Sequence, residues 1–360
     1  MTSTKASQRV EFPNVHARPE QQTQVGKVRR HIVLFAFYFL WVVGFMGYGA
    51  ISALSAATVG HAVIQGDASY VPLVVRVYLS LMVLYYSYHL TVLRNGQPKW
   101  KALHALCRST LMKYPYFRHQ ICIFEEFEEE SLKNPEKAFV KPKDKAIFAF
   151  HPHGILTCGW TVNGSFSMRF DQADERWLVA ENLFWFPILR DALHWMGFDD
   201  VHKDTFVKHM KDDRNLCFVP GGFEEATIYV HGKHRSYLKR KFGFIKLALQ
   251  YGYKIHPVYT FGEELTYKTF TPLLKFRLWL NTLKIPGAVF SGRTLCPILP
   301  LNDCEMTTVV GKAVQMPKIE NPSKEEVAKY HAIYVQAVVD LFERNKVKYA
   351  ADPSAELEFL

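Results

Sequence analysis

Residues 145–154 read KAIFAFHPHG, an apolar run that ends in two histidines set around a proline and closed by a glycine. Lys145–Phe150 shows no polar alternation, the pattern of a strand buried on both faces, as in the middle of a parallel sheet. Outward from it, Asn215–Val219 (NLCFV) and Lys254–Phe261 (KIHPVYTF) have the same character. Each follows a stretch of helical spacing, Lys203–Asp213 before the first and Phe242–Tyr251 before the second. Val179–Phe198 also has helical length and apolar spacing, with a break at Pro187. Helix-then-strand order of this kind predicts an α/β fold, a mostly parallel sheet flanked by helices. A closing helix is predicted after Ser323. Ser323 and Glu326 form a capping box, and Val327, Tyr330, Tyr334, Ala337, Val338 and Leu341 recur at helical spacing as core packing.

The 360 residues are 49% hydrophobic with 20 Gly and 18 Pro, which excludes a disordered, collagenous or small disulfide-scaffold chain. Lys and Arg (44) outnumber Asp and Glu (34), and the resulting charge of +10 favours phosphates or an anionic membrane surface as partners. The apolar excess lies before residue 94. Ile32–Val63 contains no Asp, Glu, Lys or Arg and exceeds the roughly 20 residues that cross a bilayer. Val71–Leu93 is also long enough, interrupted by Arg76. A membrane hairpin over 31–93 is therefore expected, after a polar, disordered tail (1–30) and before a domain over 94–360. Lys27, Arg29 and Arg30 precede the hairpin and Arg94, Lys99 and Lys101 follow it, while its turn GDASY has neither Lys nor Arg. By the positive-inside rule both ends face the cytosol. The six cysteines show no C-x-x-C spacing, so no zinc site or disulfide framework is expected. Glu125–Glu130 (EEFEEE) reads as a solvated acidic face.

The chemically informative residues follow the strands, where open α/β sheets place ligands. His151-Pro152-His153-Gly154 is a rigid turn able to aim an imidazole as a general base; a purely structural turn and half of a metal site are the other readings. No third ligand stands at a familiar spacing, so no metal is expected. Val219–Ala226 (VPGGFEEA) offers the backbone N–H groups of Gly221 and Gly222 to an oxyanion or phosphate, with a carboxylate one turn later. Lys233–Lys241 (KHRSYLKRK) is either a solvated basic face or a dock for cofactor phosphates or anionic lipid. Nucleic acid is not expected, since no recognisable nucleic-acid module accompanies the patch. No G-x-S-x-G elbow is present, which argues against a serine hydrolase.

HPHG, the PGGFEEA turn, KFGFIKLALQYGYKIHPVYTFGE (241–263) and TTVVGKAVQMPKIENPSKEEVAKYHAIYVQAVVDLFE (307–343) together resemble the diacylglycerol O-acyltransferase type 2 family and, more distantly, the glycerolipid acyltransferase fold. The resemblance runs from about residue 94 to the C-terminus. It implies an endoplasmic-reticulum membrane enzyme, its catalytic domain facing the cytosol and also suited to lipid droplets. That enzyme esterifies a lipid alcohol with acyl-CoA as substrate, no other cofactor, and usually makes triacylglycerol from diacylglycerol. Monoacylglycerol and long-chain alcohols are alternative acceptors; a His-dependent lipid hydrolase and a silent membrane scaffold are the readings outside the class. Self-association is left open. Two departures stand out. No Asp follows either His by five positions, since Leu156 and Cys158 stand there, and Tyr114-Pro115-Tyr116-Phe117 replaces the family's Tyr-Phe-Pro. The roles implied are His153, ahead of His151, as base and Glu225 as its orienting carboxylate, with Glu224, Asp171 and Asp191 behind it. Gly154, Gly221 and Gly222 form the turns and the oxyanion donors, and Arg235, Lys239, Arg240 and Lys241 meet the CoA phosphates.

Overall fold

Strand β2 (Ala146–His151) is buried along its whole length, and its side chains alternate between two cores. Ala146, Phe148 and Phe150 enter one core, Ile147 and Ala149 the other. The computed structural model describes residues 9–12, 28, 31–36, 39–40, 45–93, 98–111, 117–301 and 303–360. In it β2 lies inside a seven-stranded sheet. The order from one edge is β1 (Phe117–Phe124), β10 (Cys304–Val310), β7 (Lys254–Phe261), β2, β5 (Asn215–Phe218), β3 (Glu175–Val179) and β4 (Phe198–Asp200). From β7 to β4 all neighbours are parallel; β10 runs antiparallel to β7 and parallel to β1. Two short pairs lie outside it, β6 (His234–Ser236) with β11 (Leu357–Phe359), and β8 (Lys268–Thr269) with β9 (Phe290–Ser291). The expected α/β architecture with a mostly parallel sheet is therefore observed. Ala149 pairs with Phe218 on one side and Pro257 on the other, so β5, β2 and β7 end at one edge of the sheet.

The strands and helices around β5 and β7 follow the sequence reading closely, with helices at Lys203–Lys211 and Gly243–Tyr251. Val179–Phe198 does not form the single broken helix expected. Val179 ends β3, Glu181–Trp185 is a 3₁₀ turn, Leu189–Met196 is a two-turn helix, and β4 starts at Phe198. Pro187 lacks a backbone donor and turns the preceding residue away from helical geometry, so the helix starts only after it.

The closing helix spans Lys324–Tyr349 and has the predicted capping box. The acidic run is not simply solvated. Glu125 accepts from Arg344 at 3.0 Å, and Glu128 accepts from Lys348 and Tyr349, both at 2.8 Å. The run clamps the last turns of that helix. Within the tail expected to be disordered, residues 9–12 are docked. The Val10 N–H donates to the Lys348 carbonyl, and the Phe12 ring packs, tilted, 4.3 Å from that of His119.

Two N-terminal helices, Phe45–Gln65 and Leu73–Thr91, are long and apolar enough to cross a membrane by length and composition. Arg76 closes the turn between them by donating to the Val71 and Ala68 carbonyls. The second helix is tied to the α/β domain, where Asp191 accepts from Tyr85 at 2.5 Å and pairs with His89 at 2.8 Å. Lys27, Arg29, Arg30, Arg94 and Tyr114–Tyr116 fall outside the described residues.

Candidate active site

Strand parity separates the two histidines. His151 is the last residue of β2 and shares the face of Ile147 and Ala149, so its ring enters the core under the closing helix. It is fully buried, and its Nε2 shares a 3.0 Å hydrogen bond with the Tyr334 hydroxyl. Burial lowers its pKa to about 3. His153 lies beyond the strand, after Pro152, and lines a cavity of about 500 Å³. The rest of that wall is mainly apolar, including Trp160, Leu178, Leu183, Phe218, Phe223 and Ile285. A volume of this size falls within the roughly 300–1,000 Å³ range of small-molecule sites.

The His153 ring is oriented by the backbone. Its Nδ1 lies 3.1 Å from the Gly154 carbonyl, which can only accept, so Nδ1 carries the proton and Nε2 keeps its lone pair. Burial lowers its pKa to about 4, against opposing contributions from the Gly154 carbonyl and Glu224. At neutral pH the ring is a neutral base.

Glu225 takes a different role from the one expected of it. One carboxylate oxygen accepts the His153 backbone N–H at 2.7 Å, the other accepts the Tyr237 N–H at 2.9 Å, and neither bonds the imidazole. The carboxylate folds back over the start of its own helix, and a Cβ at Gly221 would meet its Oε2 at 2.2 Å. Burial raises its pKa, with the backbone donors opposing.

A second carboxylate, absent from the sequence reading, holds the other side of the turn. Glu263, two residues past the end of β7, accepts the backbone N–H groups of Cys158 at 3.0 Å and Gly159 at 2.6 Å. It is fully buried, which pushes its pKa up to about 8. A Cβ on Gly154, whose φ is +62°, would meet Glu263 Oε1 at 2.1 Å. The chain after β2 is thus gripped from both neighbouring strand ends, at His153 by Glu225 after β5 and at Cys158 and Gly159 by Glu263 after β7. Hydrogen bonds of this kind contribute roughly 0.5–1.5 kcal/mol each. Position was the signal for Glu263, because it follows its strand as His153 and Glu225 follow theirs.

Of the remaining expected residues, Gly222 joins His153 on the cavity wall, with φ +57° where helix Gly222–Ile228 begins. The lining contains neither Gly154 nor Gly221. The basic patch is split. Arg235 pairs with Glu358 on β11 at 2.7 Å, and Lys241 pairs with Glu224 at 2.8 Å. Lys239 lies 5.0 Å over Phe359, Arg240 donates to the Tyr237 hydroxyl at 3.3 Å, and both stay exposed. Asp171 pairs with Arg108 and Asp191 with His89, each away from the cavity lining. Tyr334, expected to be core packing only, is the hydrogen-bond partner of His151.

A neutral strand-end imidazole on the wall of an apolar, ligand-sized cavity marks an α/β protein suited to base chemistry on an apolar substrate. A family model described as diacylglycerol acyltransferase matches residues 73–360, and the chain belongs to that acyltransferase family. It is 35% identical over 243 residues to "Diacylglycerol O-acyltransferase 2-like protein 6" of Mus musculus, covering 61% of this chain and 72% of that protein. It is 33% identical over 237 residues to "Acyl-CoA wax alcohol acyltransferase 2" of Homo sapiens, covering 61% and 71%. "Diacylglycerol O-acyltransferase 2" of Dictyostelium discoideum is also 33% identical, over 236 residues, covering 60% and 71%.

Proposed function

We propose that the protein is an acyl-CoA-dependent O-acyltransferase that esterifies diacylglycerol to triacylglycerol by direct transfer. The observation that carries this reading is His153, whose tautomer is fixed by the Gly154 carbonyl, on the wall of an apolar cavity. The cavity takes the acyl chain. Nε2 removes the proton from the acceptor hydroxyl as its oxygen attacks the thioester carbonyl. The C–S bond breaks, the imidazolium returns the proton to the departing thiolate, and an ester and free CoA result. No bond to the enzyme forms. The thioester already carries a good leaving group, so the protein adds proximity, a base and, from the Gly221–Gly222 turn, donors for the oxyanion. Lys239 and Arg240, whose charges have no carboxylate partner among the described contacts, are the cations offered to the CoA phosphates, with the paired Arg235 and Lys241 behind them.

The two apolar helices hold the catalytic domain on the cytosolic face of the endoplasmic reticulum or on a lipid-droplet monolayer. There an insoluble acceptor need not cross water, which costs about 0.8 kcal/mol per CH₂ exposed. A long-chain alcohol is the competing acceptor, because the wax alcohol relative matches with the same identity as the Dictyostelium diacylglycerol relative. Purified full-length protein given labelled oleoyl-CoA and, separately, diacylglycerol, monoacylglycerol or hexadecanol decides between them. Triacylglycerol is the expected product. Wax ester or diacylglycerol would keep the chemistry and change the acceptor, and hydrolysis of oleoyl-CoA without ester would overturn the transferase reading.

A further inference from the structure

Helix Leu274–Thr282 buries an arginine and exposes two aromatic rings, against the usual order for a protein in water. Its inward polar side chains are Arg277 and Asn281, four residues apart and therefore on one face. Arg277 is 5% exposed and donates to the carbonyls of Thr227, Thr271, Pro272 and Gly287 at 2.8–3.2 Å. Asn281 donates to the Thr227 hydroxyl and accepts the Gly287 N–H, both at 2.9 Å. Phe276 and Trp279 of this helix, and the leucines that flank it, face out, while Leu274, Leu278 and Leu280 are half-buried. Leu273, Phe276, Trp279 and Leu283 are between 52% and 67% exposed, and Ile285 and Val289 continue the surface. The Phe276 and Trp279 rings stack on one another at 5.6 Å, so these groups form a patch and not scattered exposure. A patch of this composition marks an interaction surface.

Three observations identify the occupant as a lipid bilayer. With the inward Arg277 set aside, the chain between Glu264 and Asp303 still has Lys268, Lys275, Lys284 (which also pairs with Glu181) and Arg293 and no Asp or Glu, the composition of a segment lying in an anionic headgroup layer. The patch is continuous with the apolar helices. Asn182 donates to the Lys284 carbonyl at 3.0 Å, the Lys284 ammonium lies 5.1 Å over Trp185, and the Trp185 carbonyl accepts from Tyr86 of the second helix. Finally, the same segment supplies Ile285, Pro286, Ala288 and Phe290 to the wall of the cavity.

We infer that Leu273–Val289 is a second membrane-contact surface, which lies in the leaflet beside the apolar helices and opens the cavity towards it. An acceptor lipid then enters from the bilayer through the 285–290 wall. Arg277 and Asn281 hold this surface on Thr227, in the helix that also carries Gly222 and Glu225. The inference rests on the membrane reading above, and the test separates the two.

Full-length protein is reconstituted in phosphatidylcholine–phosphatidylserine vesicles that contain a diazirine-bearing phosphatidylcholine, irradiated and mapped by peptide mass spectrometry. Adducts are expected on the peptides covering Leu273–Val289 and on those of residues 47–91. Adducts on 47–91 alone would overturn the inference and leave the membrane reading standing. Adducts on Leu273–Val289 alone would overturn the placement beside the apolar helices and the membrane reading of 47–91, and adducts on neither would overturn the inference and the membrane reading together. In a second arm, Phe276→Asp with Trp279→Asp changes only outward side chains, so thermal stability is expected to hold. Ester formation on acceptor embedded in vesicles is expected to drop about tenfold or more, while the rate in mixed micelles stays within about twofold. Equal rates in vesicles for variant and wild type would contradict the inference.

Discussion

A carbonyl can only accept, and that fact decides what His153 does. The Gly154 oxygen fixes the proton on Nδ1, and burial keeps the ring neutral with a pKa of about 4. A base whose folded pKa is lowered loses activity only when the pH falls towards that lowered value. The acid limb of kcat/KM is therefore expected between about pH 5 and 3, well below the ordinary histidine value near 6.5. A limb centred near 6.5 would show that the ring is solvated when it works. His151 has a different fate, since its Nε2 is bonded to Tyr334 in the core. Tyr334→Phe removes that partner and is expected to cost about 1–3 kcal/mol of stability, read by denaturant unfolding, with kcat changed less than about threefold. The HPHG sequence named both imidazoles. Parity along β2 ranks them, because position 151 shares the inward face of Ile147 and Ala149, whereas position 153 lies past the strand.

At the scale of elements, the turn after β2 is held by carboxylates from the strands on either side. Glu225→Gln keeps the shape of the side chain but turns an NH₂ towards one of two backbone donors. It is expected to lower Tm and kcat together and to leave the acid limb of the residual activity in place. A side chain that oriented the imidazole would shift that limb instead. Gly154→Ala places a methyl 2.1 Å from Glu263 Oε1 at a positive φ and is expected to destabilise by about 2 kcal/mol or more. β2, β5 and β7 were legible because each is an unbroken apolar run, and the closing helix because its capping box is local. Val179–Phe198 was misread because its two ends, Val179 and Phe198, belong to separate short strands on either side of a proline. The Glu225 and Glu263 contacts join residues 72 and about 105 positions apart, and no local pattern carries such a pairing.

For the whole molecule, the split of the basic patch separates cations that hold the fold from cations open to a ligand. Lys239→Ala with Arg240→Ala is expected to raise KM for acyl-CoA roughly three- to tenfold, more at low salt, with kcat little changed. Arg235→Ala is expected to loosen β11 by removing the ion-pair partner of Glu358, read as faster amide hydrogen exchange over 357–359. The sequence showed that this patch exists but not which members are paired, since Glu358 lies 123 residues from Arg235. Domain, apolar helices and cavity join in one proposed claim, that an acyl group passes directly from CoA to a lipid hydroxyl with His153 as base and no acyl-enzyme. The most direct test is single-turnover transfer from labelled oleoyl-CoA to vesicle-embedded diacylglycerol by wild type and His153→Ala, with acid-quenched protein assayed for bound label. The predicted result is a loss of about 10²–10⁴-fold in the variant at unchanged Tm, and no label on the wild-type protein at any time. Undiminished transfer by His153→Ala, or label that appears on the protein and passes on to the ester, would contradict it.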